Sequence, residues 1–130
     1  MHDSSQQIYI IDGNNFRTLE DFWLEVEIIF ANFIDGVGCF GRNLDAFRDI
    51  LCVAKDNTIV IWKNSKLSLQ TLNYSETIRQ LEKRVAECHP SNIDSVKKEI
   101  KFAKMNRGEI VFDWLIEIFL EEENIELRLE

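Results

Sequence analysis

The sequence predicts an α/β fold in which a small three-stranded parallel sheet is covered by α-helices. Three short strand-like segments alternate with longer segments whose apolar residues recur at helical spacing. Strands separated by helices pair in parallel through right-handed crossovers. The chain has 130 residues, of which 45% are hydrophobic and 11% aromatic. This length and composition predict one domain with a packed core, spanning residues 1–130.

The first strand is predicted at residues 8–11, where the run IYII is apolar on both faces and indicates a buried strand. The sequence DGNN at residues 12–15 then indicates a turn. Residues 1–7 are expected to form a loose polar end.

A helix follows, with Thr18 as its predicted N-cap. Apolar residues recur at helical spacing over residues 19–33. This helix is expected to end near Ile34, because Gly36 and Gly38 follow it.

A second amphipathic helix is predicted to begin after Asn43, a favourable N-cap residue. Its apolar stripe consists of Leu44, Phe47, Ile50, Leu51 and Ala54. Its opposite face carries Asp45, Arg48, Asp49 and Cys52. The run TIVIW at residues 58–62 is rich in β-branched residues and predicts a second buried strand.

Residues 63–107 are predicted to be an extended helical segment. One helix covers residues 73–88 and is ended by Pro90, and another covers residues 92–105 and is capped by Ser91. Because their connection is short, the two helices are expected to form a hairpin.

The run IVFDWLIEIFL at residues 110–120 is apolar almost all round, which is typical of a buried helix, with a strand as the alternative for its first residues. IELRL at residues 125–129 alternates and predicts an edge strand with Glu126 and Arg128 on its wet face.

The net charge indicates the kind of partner, and the cysteine content indicates the cellular compartment. Twenty-three acidic and fifteen basic residues give a net charge of −8, which repels nucleic acids and anionic membranes and favours a basic partner. Cys39, Cys52 and Cys88 are an odd number without a CxxC motif, and no segment resembles a signal peptide. These features predict a cytoplasmic protein with reduced thiols. No apolar run is long enough to cross a bilayer.

The sequence contains a GxGxxG pattern at residues 36–41. A dinucleotide-binding fingerprint follows a strand, and an acidic residue ends the next strand. Here a helix precedes the pattern and the next strand ends at Trp62 and Lys63, so a flexible glycine loop is the preferred interpretation. His2 and His89 form no catalytic arrangement that the sequence reveals, and the cysteines lack metal-ligand spacing. No catalytic residue, metal or cofactor is therefore predicted.

Asp45 and Asp49 lie one turn apart on the same exposed helix face. Like charges at this spacing cost a helix about 0.2–0.5 kcal/mol. The helix dipole and a pairing with Arg48 can account for a negative charge at Asp45, but not for a second one at Asp49. Three further acidic residues, 121–123, crowd the C-terminal end of a helix, where negative charge is unfavourable. The pattern indicates a surface made for a partner, with mere solubility as the alternative.

FGRNLDAFRD, at residues 40–49, resembles the signature of the barstar family, the intracellular inhibitors of secreted bacterial ribonucleases such as barnase. The resemblance begins at YIIDGNNFRTLEDFW, residues 9–23, and resumes more loosely at FDWLIEIF, residues 112–119, and the last strand. It implies a barstar-like domain and a non-enzymatic protein.

The resemblance implies that the acidic helix and the loop before it block a ribonuclease active site, with carboxylates where substrate phosphates would lie. The implied partner-binding residues are Cys39, Phe40, Arg42, Asn43, Asp45, Asp49 and Glu121. Asp49 would reach the catalytic basic cluster, and Phe40 is a candidate aromatic anchor. Arg48 replaces a large aromatic residue of the barnase inhibitor, so a different toxin nuclease is the expected target.

The expected function is that of a cytoplasmic immunity protein in a toxin–antitoxin pair. Its partner is a basic ribonuclease or other toxin nuclease, without direct contact to nucleic acid or membrane, and a monomer is favoured. One alternative is a magnesium-dependent hydrolase using Asp35, Asp45 and Asp49. Another is an acidic interaction domain with a non-nuclease client.

Overall fold

A computed structural model describes residues 6–130 and contains a parallel sheet in the order β1-β2-β3. Its strands are β1 (Gln7–Asp12), β2 (Thr58–Lys63) and β3 (Ile125–Leu129). In register, Tyr9 lies beside Val60, and Val60 lies beside Leu127. The predicted fold class, a small three-stranded parallel sheet with packed helices, is confirmed.

Seven α-helices lie within residues 6–130. They are α1 (Leu19–Ile29), α2 (Ala31–Val37), α3 (Leu44–Leu51), α4 (Ser65–Thr71), α5 (Tyr74–Glu87), α6 (Ile93–Lys104) and α7 (Val111–Leu120). The helix predicted at residues 110–120 is α7, so the strand alternative there is wrong. None of the helices in the described part of the chain is long and apolar enough to span a membrane.

Trp62 of β2 lies at the centre of the main core and is fully buried. Four aromatic rings surround it, those of Phe16, Phe22, Phe112 and Phe119. Its indole nitrogen donates a hydrogen bond of 3.0 Å to Ser68 Oγ in α4. Helix α4 also packs closely against Gly13, in the turn after β1. A Cβ added to Gly13 would lie 2.5 Å from Ser68 Oγ and 2.5 Å from the carbonyl oxygen of Asn64. Only glycine fits this close approach.

The sheet is covered by helices on one face. With strand order 1-2-3, right-handed crossovers place every connection on the same side. Ile8 and Ile10 face the other side and are 54% and 45% exposed, so the prediction that β1 is buried on both faces is wrong. The prediction of β3 as an edge strand is confirmed. Of the predicted loose end, residues 1–5 lie outside the described residues, and Gln7 already belongs to β1.

The helix predicted over residues 19–34 is two helices. The backbone leaves helical geometry at Phe30, with φ −103° and ψ 29°, and α2 then continues to Val37. The break lets the rings of Phe30 and Phe33 both pack on Tyr9 of β1, at centroid distances of 5.3 and 5.2 Å. Gly38 ends α2 with φ +90°, a left-handed conformation that favours glycine.

Helices α5 and α6 form the predicted hairpin around a small apolar cluster of their own. The cluster consists of Leu81, Val96 and Ala103. The expected cap at Ser91 is wrong, because Asn92 occupies the N-cap position of α6 and its side chain makes no capping hydrogen bond. The backbone N–H of Ser91 instead donates to the His89 ring in the preceding turn, at 3.1 Å.

Two buried side chains of α5 attach this hairpin to the rest of the molecule. Glu76 accepts a hydrogen bond of 2.8 Å from the backbone N–H of Leu19, at the start of α1. Thr77 accepts one of 2.9 Å from the backbone N–H of Val111, at the start of α7. Because the first N–H groups of a helix have no partner within it, these contacts satisfy both helix ends and fix the position of α5.

Candidate functional site

Helix α3 presents its polar face to solvent, as its sequence predicts. The side chain of Asn43 caps the helix by accepting a hydrogen bond of 2.8 Å from the backbone N–H of Ala46. Phe47, Ile50 and Leu51 are buried on the inner face. The outward residues are Asp45, Arg48, Asp49 and Cys52, and all four are exposed. The apolar anchoring of α3 therefore determines which way its carboxylates point.

Arg48 joins two of the predicted contact residues. Its guanidinium donates to Asp45 at 3.1 Å and to Glu121, at the end of α7, at 3.0 Å. The Asp45 side chain remains 93% exposed despite this pairing. Exposed ion pairs of this kind contribute about 0–1 kcal/mol, so Arg48 orients the two carboxylates without withdrawing them from solvent.

Asp49 is exposed and makes no ion pair with any residue from 6 to 130. The acidic residues around Asp49 also affect the pKa of the neighbouring Cys52. A hydrogen bond with Glu122, partial burial, and the charges of Glu122, Asp49 and Glu121 together raise the pKa of its thiol. A thiol held in its neutral form is a poor nucleophile. We call Asp45, Asp49, Glu121 and Glu122 the acidic ridge.

The loop between α2 and α3, residues 38–43, supports the ridge from one side. Phe40, the candidate aromatic anchor, is only 8% exposed, and its ring packs edge-on against Trp23 at 5.6 Å. The core beneath the loop accommodates this ring, and a contact of Phe40 with a partner stays a prediction. Cys39, by contrast, is exposed on this loop.

Arg42 is tied to α1 by two hydrogen bonds from its guanidinium to Glu27, at 2.5 and 3.1 Å. These hydrogen bonds and the carboxylate charge raise the pKa of Arg42. Its backbone is left-handed, with φ +53°. Since Asn43 is occupied in capping α3, both residues have a clear role in positioning the loop. The sequence contains no local signal of the pairing with Glu27.

A groove of about 700 Å³ lies beside the ridge, between α3 and the hairpin helix α5. Its lining includes Trp23, Asn43, Asp45, Arg84, Glu87 and Trp114. The sequence analysis did not anticipate this groove, because no periodicity relates residues of α5 to residues of α3.

Asp35 lines a different cavity of about 460 Å³ with Cys39 and Phe40, away from the ridge residues. Within residues 6–130, no three histidine, cysteine or acidic side chains are grouped so that they could hold a metal ion. The ligand set that the magnesium hypothesis requires is therefore not assembled in that part of the chain. His2 lies outside the described residues, and His89 is exposed and hydrogen-bonded to Ser91.

Comparison with protein-family models matches residues 6–93 of the 130 to Barstar (barnase inhibitor). The match covers more than half of the chain, including β1, the loop before α3 and the whole of α3. No curated protein sequence matches the chain significantly. The parallel sheet, the capped acidic helix and the family match agree, and the chain belongs to the barstar family.

Proposed function

We propose that this protein is an intracellular immunity protein that inhibits a basic bacterial ribonuclease toxin. Helix α3 and the loop before it cover the active site of the nuclease. Asp49 carries the proposal, since it is an exposed carboxylate without an ion pair in the described chain, on a helix whose opposite face is locked into the core. Family membership supports an inhibitory, non-enzymatic role.

The electrostatics of the ridge support this mechanism. A ribonuclease binds the phosphodiester backbone through arginine, lysine and histidine side chains. Opposed carboxylates form short charge-assisted hydrogen bonds with such groups. Before contact, the net charge of −8 steers a basic partner toward the protein and accelerates association. An immunity protein benefits from rapid capture, because free toxin degrades cellular RNA.

Within the ridge, Asp49 and Asp45 have different tasks in this mechanism. Asp49 is free to approach the cationic centre of the active site. Asp45 is highly exposed but shares Arg48 with Glu121. A nuclease that binds here must accommodate the cation of Arg48, so the preferred target has no lysine or arginine directly opposite it.

The test is inhibition of RNA hydrolysis by purified barnase-type ribonucleases and by toxin nucleases encoded beside this gene in its host. The wild-type protein should inhibit at least one of them. Asp49→Ala should abolish that inhibition with an unchanged melting temperature, because Asp49 makes no ion pair in the described chain. Asp94→Ala is the matched control, as Asp94 is an exposed helical aspartate on α6. Full inhibition by Asp49→Ala would contradict the mechanism.

Co-expression separates this function from that of an acidic domain with another client. Cells that produce the toxin nuclease should grow when the wild-type protein is present and die when it carries Asp49→Ala. A protein that binds a non-nuclease client would rescue no such strain.

A further inference from the structure

The groove beside α3 is continuous with the acidic ridge. Asp45 and Arg48 belong to the polar face of α3 and also line the groove, while Gln80, Lys83 and Glu87 of α5 form the opposite wall. Any protein that covers the ridge therefore also meets the opening of the groove. This geometry makes α5, which lies outside the ridge, a second surface within reach of the same partner.

The cations that line the groove are already neutralised inside the protein. Each of them lies within 4.0 Å of a carboxylate. The pairs are Arg42 with Glu27, Arg48 with Asp45, Lys83 with Glu20, and Arg84 with Glu99. The groove thus offers little positive charge to an incoming anion.

Glu87 is the exception among the charged lining residues of the described chain. It is exposed and makes no ion pair with any residue from 6 to 130. It is also the last residue of α5, where the helix dipole disfavours a negative charge. The one charge in the groove without an ion pair in the described chain is therefore the negative charge of Glu87. Because of the helix dipole, this charge lowers the stability of the unbound protein.

The lining combines this charge with apolar surface. Leu44, Trp23 and Trp114 all contribute to it. Arginine and lysine side chains place their aliphatic stems on such surfaces while the charged head reaches a polar group. Arg84 already illustrates this preference, because its guanidinium lies 5.4 Å from the centre of the Trp114 ring. The groove has the chemistry to bind a cationic side chain.

The α5 wall is held rigidly. Burial alone would raise the pKa of Glu20, but hydrogen bonds from Lys83, Gln80 and Arg79 lower it to about 2. Three side chains of α5 are thereby fixed to α1. A preorganised wall loses little conformational entropy when a partner binds.

We propose that the groove receives a loop of the inhibited ribonuclease that carries a lysine or arginine, and that Glu87 binds this cation from the α5 wall. This inference rests on the proposed function and adds a specificity-determining residue on the hairpin. The ridge covers the active site, and the groove distinguishes nucleases by a basic loop beside it.

The test compares charge reversal at two positions of α5. Glu87→Lys changes the groove, whereas Glu82→Lys makes the same change at an exposed residue of the same helix that does not line it. Affinity is measured by calorimetry with a catalytically inactive form of the ribonuclease selected by the inhibition assay. Glu87→Lys should weaken binding about tenfold or more, and Glu82→Lys less than about threefold.

Salt dependence distinguishes contact from distant repulsion. At about 0.5 M salt the effect of Glu82→Lys should disappear, while that of Glu87→Lys should persist, because contacting charges are screened less. A lysine at the end of α5 suits the helix dipole, so Glu87→Lys should fold normally. Glu87→Gln provides a second variant with a smaller loss.

Equal effects of the two reversals, or none from either, would overturn the groove proposal. If Asp49→Ala still abolishes inhibition in that case, the proposed function stands and only the groove proposal fails. If the wild-type protein inhibits none of the ribonucleases, both proposals fail.

Discussion

Arg48 donates a hydrogen bond of 3.0 Å from Nε to a carboxylate oxygen of Glu121, which connects α3 to the end of α7 across 73 residues of sequence. The same guanidinium binds Asp45 at 3.1 Å. One cation therefore organises two of the carboxylates that the family resemblance implies as contact residues. Removing it should change the electrostatics of the ridge more than its stability.

Arg48→Ala should raise the association rate with a basic ribonuclease severalfold at low salt. The variant loses a positive charge and frees two carboxylates, which strengthens steering. Because both ion pairs are exposed, the free energy of unfolding should fall by no more than about 1 kcal/mol. Stopped-flow mixing measures the rate. A slower association would show that Arg48 itself contacts the partner favourably.

Phe40→Ala should destabilise the protein by about 3–5 kcal/mol, because it removes a buried ring that packs on Trp23. Urea unfolding measures this loss. Phe40→Leu, which keeps apolar volume in the site, should retain most of the stability. If Phe40→Ala instead reduced nuclease binding with unchanged stability, the ring would contact the nuclease and contribute little to the core.

Gly13→Ala should destabilise the protein by about 1–3 kcal/mol, because the new methyl group would clash with the Asn64 carbonyl and Ser68 Oγ. Gly36→Ala is the matched control. A Cβ there meets no atom within 4 Å, and the residue lies in α2, where alanine is favoured by about 0.5–1 kcal/mol. Thermal unfolding should show opposite signs for the two variants. Equal shifts would contradict the packing around Gly13.

Glu20 should make the protein sensitive to acid. Its pKa is about 2 in the folded protein against an ordinary value of 4.5. A carboxyl group whose pKa is lowered by folding stabilises the protein above its unfolded pKa and loses this contribution as the pH falls toward its folded pKa. The melting temperature should therefore fall between pH 4.5 and about 2, and less steeply for Glu20→Gln. Identical pH profiles would exclude a role for Glu20.

The local features of α3 could be predicted from sequence because they depend on residues close together in the chain. Asn43 and its capping contact to Ala46 are three residues apart, and the buried stripe follows helical periodicity. The outward direction of Asp45 and Asp49 follows from the same period. These are the parts of the site that the sequence analysis placed correctly.

Features that depend on distant residues could not be predicted in this way. The burial of Phe40 requires Trp23 beneath it, and the exposure of Ile8 follows from the strand order of the whole sheet. The groove wall on α5 depends on the buried contact of Glu76 with Leu19, which are 57 residues apart. No spacing rule within one helix or strand encodes such contacts.

The attachment of the α5–α6 hairpin has an evolutionary consequence. The hairpin has its own apolar cluster and is joined to the starts of α1 and α7 through Glu76 and Thr77. Substitutions on the exposed face of the hairpin therefore leave unchanged the buried packing that orients α3. A lineage facing a new toxin could vary this appendage and keep the inherited helix, so that recognition diversifies while the neutralising element stays the same.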